Sequence, residues 1–192
     1  MSKSIEIEYK SLLSEDDFLR LCQVFPADKK ITQINHYFDT ADFEIKEKKM
    51  GLRIREFPNG AEATLKMPLA VGLLEITDTF SLEIAKKAVA ESVFPDCPDI
   101  QKELDKLGIA VSDLKLFGSL KTIRHERKIE QGLLALDESW YLDTHDFEIE
   151  LEVESGEFTL EMFKDFLKEN NTTYALAKKK ITRLFDSAFP NN

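Results

Sequence analysis

The run Asp146-Phe147-Glu148-Ile149-Glu150-Leu151-Glu152-Val153-Glu154 alternates acidic and apolar side chains without a break. Successive side chains of a strand point to opposite faces. The run therefore predicts a strand with Phe147, Ile149, Leu151 and Val153 on one face and four glutamates on the other. The same period recurs along the chain. Ile5, Ile7 and Tyr9 alternate with Glu6, Glu8 and Lys10, Leu52 and Ile54 with Arg53 and Arg55, Ala63 and Leu65 with Glu62, Thr64 and Lys66. Ile123 lies between Thr122 and Arg124, which Glu126 follows at the same spacing. Each strand thus has an apolar face that must be covered and a densely charged face.

The segments between them supply the cover. Ser14 is an N-cap signal with Asp17 three residues on, followed by Phe18, Cys22 and Phe25 at helical spacing and closed by Pro26. Residues 32–39 read as a strand through Ile34, His36 and Phe38. Strand-like segments at 52–57 and 62–66 flank the hairpin signal Pro58-Asn59-Gly60, and residues 73–81 read as another strand. Helices are expected over 81–93 and from Asp99, where Ile100, Leu104 and Leu107 share a face and Gly108 is a stop. Strands at 116–128, 133–138 and 146–154 follow, with Gln131-Gly132 and 143–145 in turns. Thr159 opens a helix carrying Met162, Phe163, Phe166 and Leu167, and a last helix is expected from Tyr174 to about Phe189. Strands in the middle with helices at the sides predict an α+β antiparallel architecture. No linker, repeat or low-complexity stretch divides the chain, so a single domain over 1–192 is expected.

Composition narrows the function classes. The 192 residues carry 36 acidic and 26 basic side chains, a net charge of −10, and 43% are hydrophobic, enough for a core. The longest apolar runs, such as Ile109-Ala110-Val111, are far short of a membrane span. The charged N-terminus does not read as a secretory signal. Two cysteines, Cys22 and Cys97, are too few for a disulfide framework, so a cytoplasmic, reducing compartment is expected. The acidic balance argues against non-specific binding to DNA.

The alternating charge has a bland reading, an antiparallel sheet with one wet face. Surfaces usually mix their charges, however, whereas here whole strands are single-signed: Glu148 to Glu154 acidic, Arg53 and Arg55 basic. That repulsion is easier to understand with a divalent cation over the acids and a polyanion over the bases. Carboxylate oxygens suit Mg²⁺ or Mn²⁺, and Arg and Lys neutralise phosphate oxygens. Phosphoryl transfer asks mainly for positioning, metal and positive charge.

Glu6-Ile7-Glu8-Tyr9-Lys10 fits the E-x-E-x-K pattern that opens the CYTH family, the triphosphate tunnel metalloenzymes. Taken in order, Tyr37-Phe38-Asp39-Thr40, Leu52-Arg53-Ile54-Arg55, Thr64-Leu65-Lys66, Thr122-Ile123-Arg124, Leu136-Asp137-Glu138, Glu148-Ile149-Glu150-Leu151-Glu152 and Lys179-Lys180-Ile181-Thr182-Arg183 resemble further family blocks. Residues 4–185 or so are covered. The chain resembles the small bacterial single-domain members, similar to class IV adenylate cyclases and thiamine triphosphatases. The resemblance implies a closed eight-stranded antiparallel β-barrel with a charged tunnel and helices outside.

It also implies roles. Glu6, Glu8, Glu150 and Glu152 would hold Mg²⁺ or Mn²⁺, with Asp137 a further ligand and Glu148 the next choice in its run. Lys10, Arg53, Arg55, Lys66, Arg124 and Lys180 would bind the substrate's phosphates, and Glu6, Glu8 and Lys10 would form the catalytic set. The family Ser beside the C-terminal Lys is Lys179 here, so the register in Lys178-Lys179-Lys180 stays open by one. The group that takes the proton from the attacking water is open too; a Lys10 of lowered pKa is one expectation. The expected activity is metal-dependent hydrolysis of inorganic triphosphate or a small organic triphosphate such as thiamine triphosphate. The alternatives are an adenylate cyclase, for which no adenine pocket is legible, and a binding module without turnover. The resemblance allows a homodimer, and no segment marks an interface.

His36, His125 and His145 lack metal-ligand spacing and read as structural or surface residues. Cys22 reads as core. Trp140 beside Tyr141 reads as rim packing before it reads as a stacking platform for an organic group.

Overall fold

The computed structural model describes residues 2–154 and 157–190. In chain order the elements are β1 (Ser2–Leu13), α1 (Glu15–Val24), β2 (Lys29–Asp39), α2 (Glu44–Glu47), β3 (Gly51–Phe57), β4 (Gly60–Pro68), β5 (Leu73–Phe80), α3 (Leu82–Glu91) and α4 (Pro98–Lys106). Then follow β6 (Lys115–Ile129), β7 (Gly132–Tyr141), β8 (Thr144–Val153), α5 (Leu160–Glu169) and α6 (Lys180–Ala188). The strands close in the order β1-β5-β4-β3-β2-β6-β7-β8. This is a closed eight-stranded antiparallel barrel with its helices outside, an α+β fold of the kind expected. Closure leaves no strand edge open.

Two compact units make up the chain, Met1–Ile5 with Gln33–Leu120, and Glu6–Thr32 with Lys121–Asn192. In the first, the apolar faces of β3, β4 and β5, through Leu52, Ile54, Leu65 and Ile76, pack with Ala85 and Ala88 of α3 and with Ile100 and Leu104 of α4. In the second, Leu134 and Leu136 of β7 and Phe147, Ile149 and Leu151 of β8 pack against Phe18 and Leu21 of α1 and Phe163, Phe166 and Leu167 of α5. Each buried Leu, Ile or Phe among them contributes roughly 1.5–3 kcal/mol. Since the apolar strand faces take the helices, the alternate polar faces point to the inside of the barrel.

The caps follow from the side chains that make them. Ser14 accepts from the Asp17 N–H, and Thr159 accepts from the Met162 N–H. The short α2 went unread in the sequence because no capping side chain precedes it directly. It is held by Asp39, which is buried and accepts from the N–H groups of Thr40, Ile45 and Lys46 at 2.8, 2.9 and 3.0 Å.

One expectation is corrected. The last helix begins at Lys180, not Tyr174. Residue 175 is bonded to β1 instead: the Leu12 N–H donates to the Ala175 carbonyl at 3.0 Å, and the Ala175 N–H donates to Ser11 Oγ at 2.8 Å. With those backbone groups used, and Leu176 bridged to Ser11, the segment stays off the helix until Lys179, the N-cap of α6. Among the described residues, no helix is long and apolar enough to cross a membrane.

Candidate active site

The unit of residues 6–32 and 121–192 contains a buried cluster of acids and bases. Backbone register builds it. Arg124 of β6 lies opposite Asp137 of β7, which lies opposite Glu148 of β8. On the next rung Ala135 faces Glu150, and Glu150 faces Lys10 of β1; on the rung beyond, Glu152 faces Glu8. All these positions share the polar strand face. The small Ala135 leaves room for Arg124 to reach across its rung to Glu150.

The contacts are short. Arg124 grips Asp137 through Nε at 2.8 Å and a second guanidinium nitrogen at 2.6 Å, and it also bonds Glu150. Lys10 Nζ lies 2.6 Å from Glu8 and 3.1 Å from Glu150. Lys180, the first residue of α6, directs Nζ to Asp137 at 2.7 Å, to Glu150 at 3.0 Å and to Glu148. One turn further, Arg183 lies 2.7 Å from Glu148 and 3.3 Å from Asp146. The spacing of three places Lys180 and Arg183 on one helix face. Five carboxylates (Glu8, Asp137, Asp146, Glu148, Glu150) thus meet four bases. Buried charges need this near balance, since an unpaired one is strongly disfavoured.

The titration behaviour follows from the packing. Burial, the largest influence on Asp137, would raise its pKa, but Arg124 and Lys180 together outweigh it and hold the carboxyl below its usual range. For Lys10, burial disfavours the ammonium, yet Glu150 and Glu8 win and keep its pKa above the ordinary lysine value. The expectation of a Lys10 with lowered pKa is therefore corrected: two carboxylates hold its proton. Lys180 behaves in the opposite way. Burial dominates, Asp137 opposes it, and Arg124 and Lys10 add like-charge repulsion, so its pKa is pushed down to about 7.

Oxygens of Asp137, Glu148 and Glu150 lie within 4.8 Å of one another, and all three residues are buried. Hard oxygens at that spacing suit a small divalent ion. The cluster already draws a cation into itself, because Lys180 Nζ bridges all three carboxylates. The residues present therefore fit a divalent metal, which would compete with Lys180 for the same oxygens.

The other sequence candidates fall as follows. Glu8 and Lys10 join the cluster, while Glu6 lies two residues before Glu8 on the same strand face. Glu152 is exposed and lies outside the metal-capable trio, where Glu148 stands instead. Lys180 is the cluster lysine; Lys178 pairs with Asp186 at the surface. Arg183 and Asp146 were quoted within motif blocks but given no role in the sequence, although the i, i+3 spacing from Lys180 was a readable signal for the first.

Arg53, Arg55 and Lys66 belong to the other unit. Arg55 donates through Nε to Asn35 Oδ1 at 2.8 Å and lies 3.8 Å from Glu62; Lys66 pairs with Glu75. The histidines and Trp140 have local partners. His36 contacts Ser119 at 2.7 Å and Glu56 at 3.3 Å, and His125 approaches the Cys22 thiol at 3.6 Å. Trp140 stacks on His145 with ring centroids 4.9 Å apart and has Lys121 against it.

The CYTH-domain family model matches residues 4–185. The chain belongs to the CYTH family. A Bacillus subtilis relative, YjbK, provisionally named a triphosphatase, is 36% identical over 188 residues and covers 97% of each chain. A Bacillus halodurans crystal structure, provisionally named an adenylate cyclase, is 40% identical with a TM-score of 0.87, over 96% of this chain and all of that one. The Hippeastrum protein HpAC1, described as a cyclase with a dominant triphosphatase activity, shares the fold at 24% identity and a TM-score of 0.80, covering 95% and 96%.

Proposed function

We propose that this CYTH-family protein hydrolyses a triphosphate, inorganic triphosphate or a small organic triphosphate such as thiamine triphosphate, with Mg²⁺ or Mn²⁺. The observation that carries the reading is the buried trio Asp137, Glu148 and Glu150, a hard-oxygen site ringed by Arg124, Lys10 and Lys180. The provisional triphosphatase name of the 36% identical relative supports the substrate class.

Asp137, Glu148 and Glu150 would hold the ion, with Glu8, Glu6 and the exposed Glu152 in reserve along the same strand faces. When bound, it supplies charge neutralisation at phosphoryl oxygens and lowers the pKa of a bound water. Arg124 and Lys10 are held charged by their carboxylates and act as fixed positive donors to phosphoryl oxygens. Arg53, Arg55 and Lys66 are assigned the same task in their own unit. Lys180 Nζ bridges the same three carboxylates when no ion is held there. The free Cys22 and Cys97 suit a reducing, cytoplasmic setting.

The test is phosphate release from inorganic triphosphate, thiamine triphosphate and ATP, each with Mg²⁺, Mn²⁺ or EDTA, with cyclic AMP followed in parallel. Metal-dependent phosphate release is expected. Cyclic AMP with pyrophosphate would move the assignment to a cyclase, and silence with every substrate would remove the enzymatic reading.

A further inference from the structure

The unit of residues 33–120 contains a second unusual arrangement. On the polar face of β2 and β3 three buried donor atoms have no acceptor among the described residues: Gln33 Nε2, Asn35 Nδ2 and Arg53 Nε. Gln33 is 2% exposed and Asn35 0%. The two amides lie two residues apart on β2 and so share a face. Register sets Asn35 opposite Arg55 and Tyr37 opposite Arg53, which puts all three donors on the polar face of β2 and β3.

The direction of the Asn35 amide is fixed by its neighbour. Its Oδ1 accepts from Arg55 Nε at 2.8 Å, and turning the amide over would set an NH₂ against a guanidinium N–H. Nδ2 is therefore the atom left facing away from Arg55. A buried donor without an acceptor is disfavoured, and folded proteins keep few of them. On this face of β2 and β3 the unmet groups beside Arg53 and Arg55 are all donors. The ligand that answers them is rich in acceptors and negatively charged.

We propose that Gln33 and Asn35 are further substrate-binding residues, whose amide N–H groups donate to non-bridging phosphoryl oxygens of the polyphosphate beside Arg53. The inference rests on the triphosphate reading above and adds two neutral donors to it. Arg55 is then held in place by the same Asn35 whose other atom binds the ligand. Neutral amides add hydrogen bonds without further positive charge, so they sharpen binding without strengthening the hold on every anion.

Two variants separate ligand binding from structure. Gln33→Met removes a donor of similar size that bonds no protein acceptor. Asn35→Asp keeps an oxygen for Arg55 and turns the outward donor into an acceptor. Binding of inorganic triphosphate is measured by calorimetry in EDTA, and its hydrolysis with Mn²⁺ gives KM and kcat separately. The expected result is binding weakened at least about tenfold in each variant, with KM raised more than kcat is lowered. Without ligand, Gln33→Met is expected to melt no lower than wild type, because an unmet buried donor is gone. Wild-type affinity and KM in Gln33→Met would overturn the inference alone. Failure of the wild-type protein to bind triphosphate would overturn it together with the functional reading.

Discussion

Replacing Lys180 with Met tests whether its ammonium serves as the internal cation of the carboxylate trio. Its Nζ lies 2.7 Å from Asp137 and 3.0 Å from Glu150. At an effective dielectric near 20, each contact represents about 5–6 kcal/mol of gross attraction. Desolvation cancels most of that, and removing one partner of a buried ion pair typically costs about 3–5 kcal/mol. For a chain of this size each kcal/mol moves the melting temperature by about 2–4 °C. In EDTA at pH 6, below the depressed lysine pKa so that the ammonium is charged, Lys180→Met should therefore melt about 6–20 °C below wild type. Mg²⁺ should restore much of the difference, because an ion at a hundred times its Kd adds about 2.7 kcal/mol and no longer competes with Lys180. Differential scanning calorimetry with and without Mg²⁺ reads both numbers. Equal melting temperatures in EDTA, or the same Mg²⁺ increment in both proteins, would refute the reasoning.

Three further outcomes follow from the packing. Burial, opposed by Glu56, lowers the His36 pKa, so the folded state favours the neutral ring. The stability this gives is present above the unfolded value near 6.5 and is lost as pH falls below it. Urea midpoints of wild type should drop from pH 7.5 to pH 5.5, and His36→Gln should show a smaller drop, the remainder including His125, which burial also lowers. Asp39→Ala leaves the N–H groups of Thr40, Ile45 and Lys46 without their acceptor, so urea titration should show a loss of at least about 2 kcal/mol. Phe163→Ala empties a fully buried site between α5 and the outer face of β8. It should cost about 3–5 kcal/mol of stability while the KM for triphosphate stays unchanged below the melting transition.

The strands were legible because their period is two and the sequence keeps it: Glu148 to Val153 and Arg53 to Arg55 show both faces directly. The helices at Ser14 and Thr159 were legible because each N-cap side chain is a local signal. The segment 174–179 misled because its apolar residues resemble a helix start, while its backbone partner is Ser11, far away in the chain. The candidate site was legible in kind and less so in detail. A run of four alternating glutamates offers equal windows to any two-residue pattern. Only the rung that aligns Glu148 with Asp137, and Glu150 with Lys10, decides which of them cluster. The contrast between Lys10 and Lys180 was beyond the sequence, because it depends on how many carboxylates and cations surround each ammonium. Gln33 and Asn35 stood in view on an alternating strand, but unmet donors become visible only once the neighbours are placed.

The most direct measurement is an anomalous-scattering map of crystals grown with Mn²⁺ and a slowly hydrolysed triphosphate analogue. The account predicts a Mn²⁺ peak bridging Asp137, Glu148 and Glu150, with Lys180 moved off those oxygens and the analogue's phosphates against Arg124 and Lys10. A trio still occupied by Lys180, with Mn²⁺ elsewhere or absent, would contradict it.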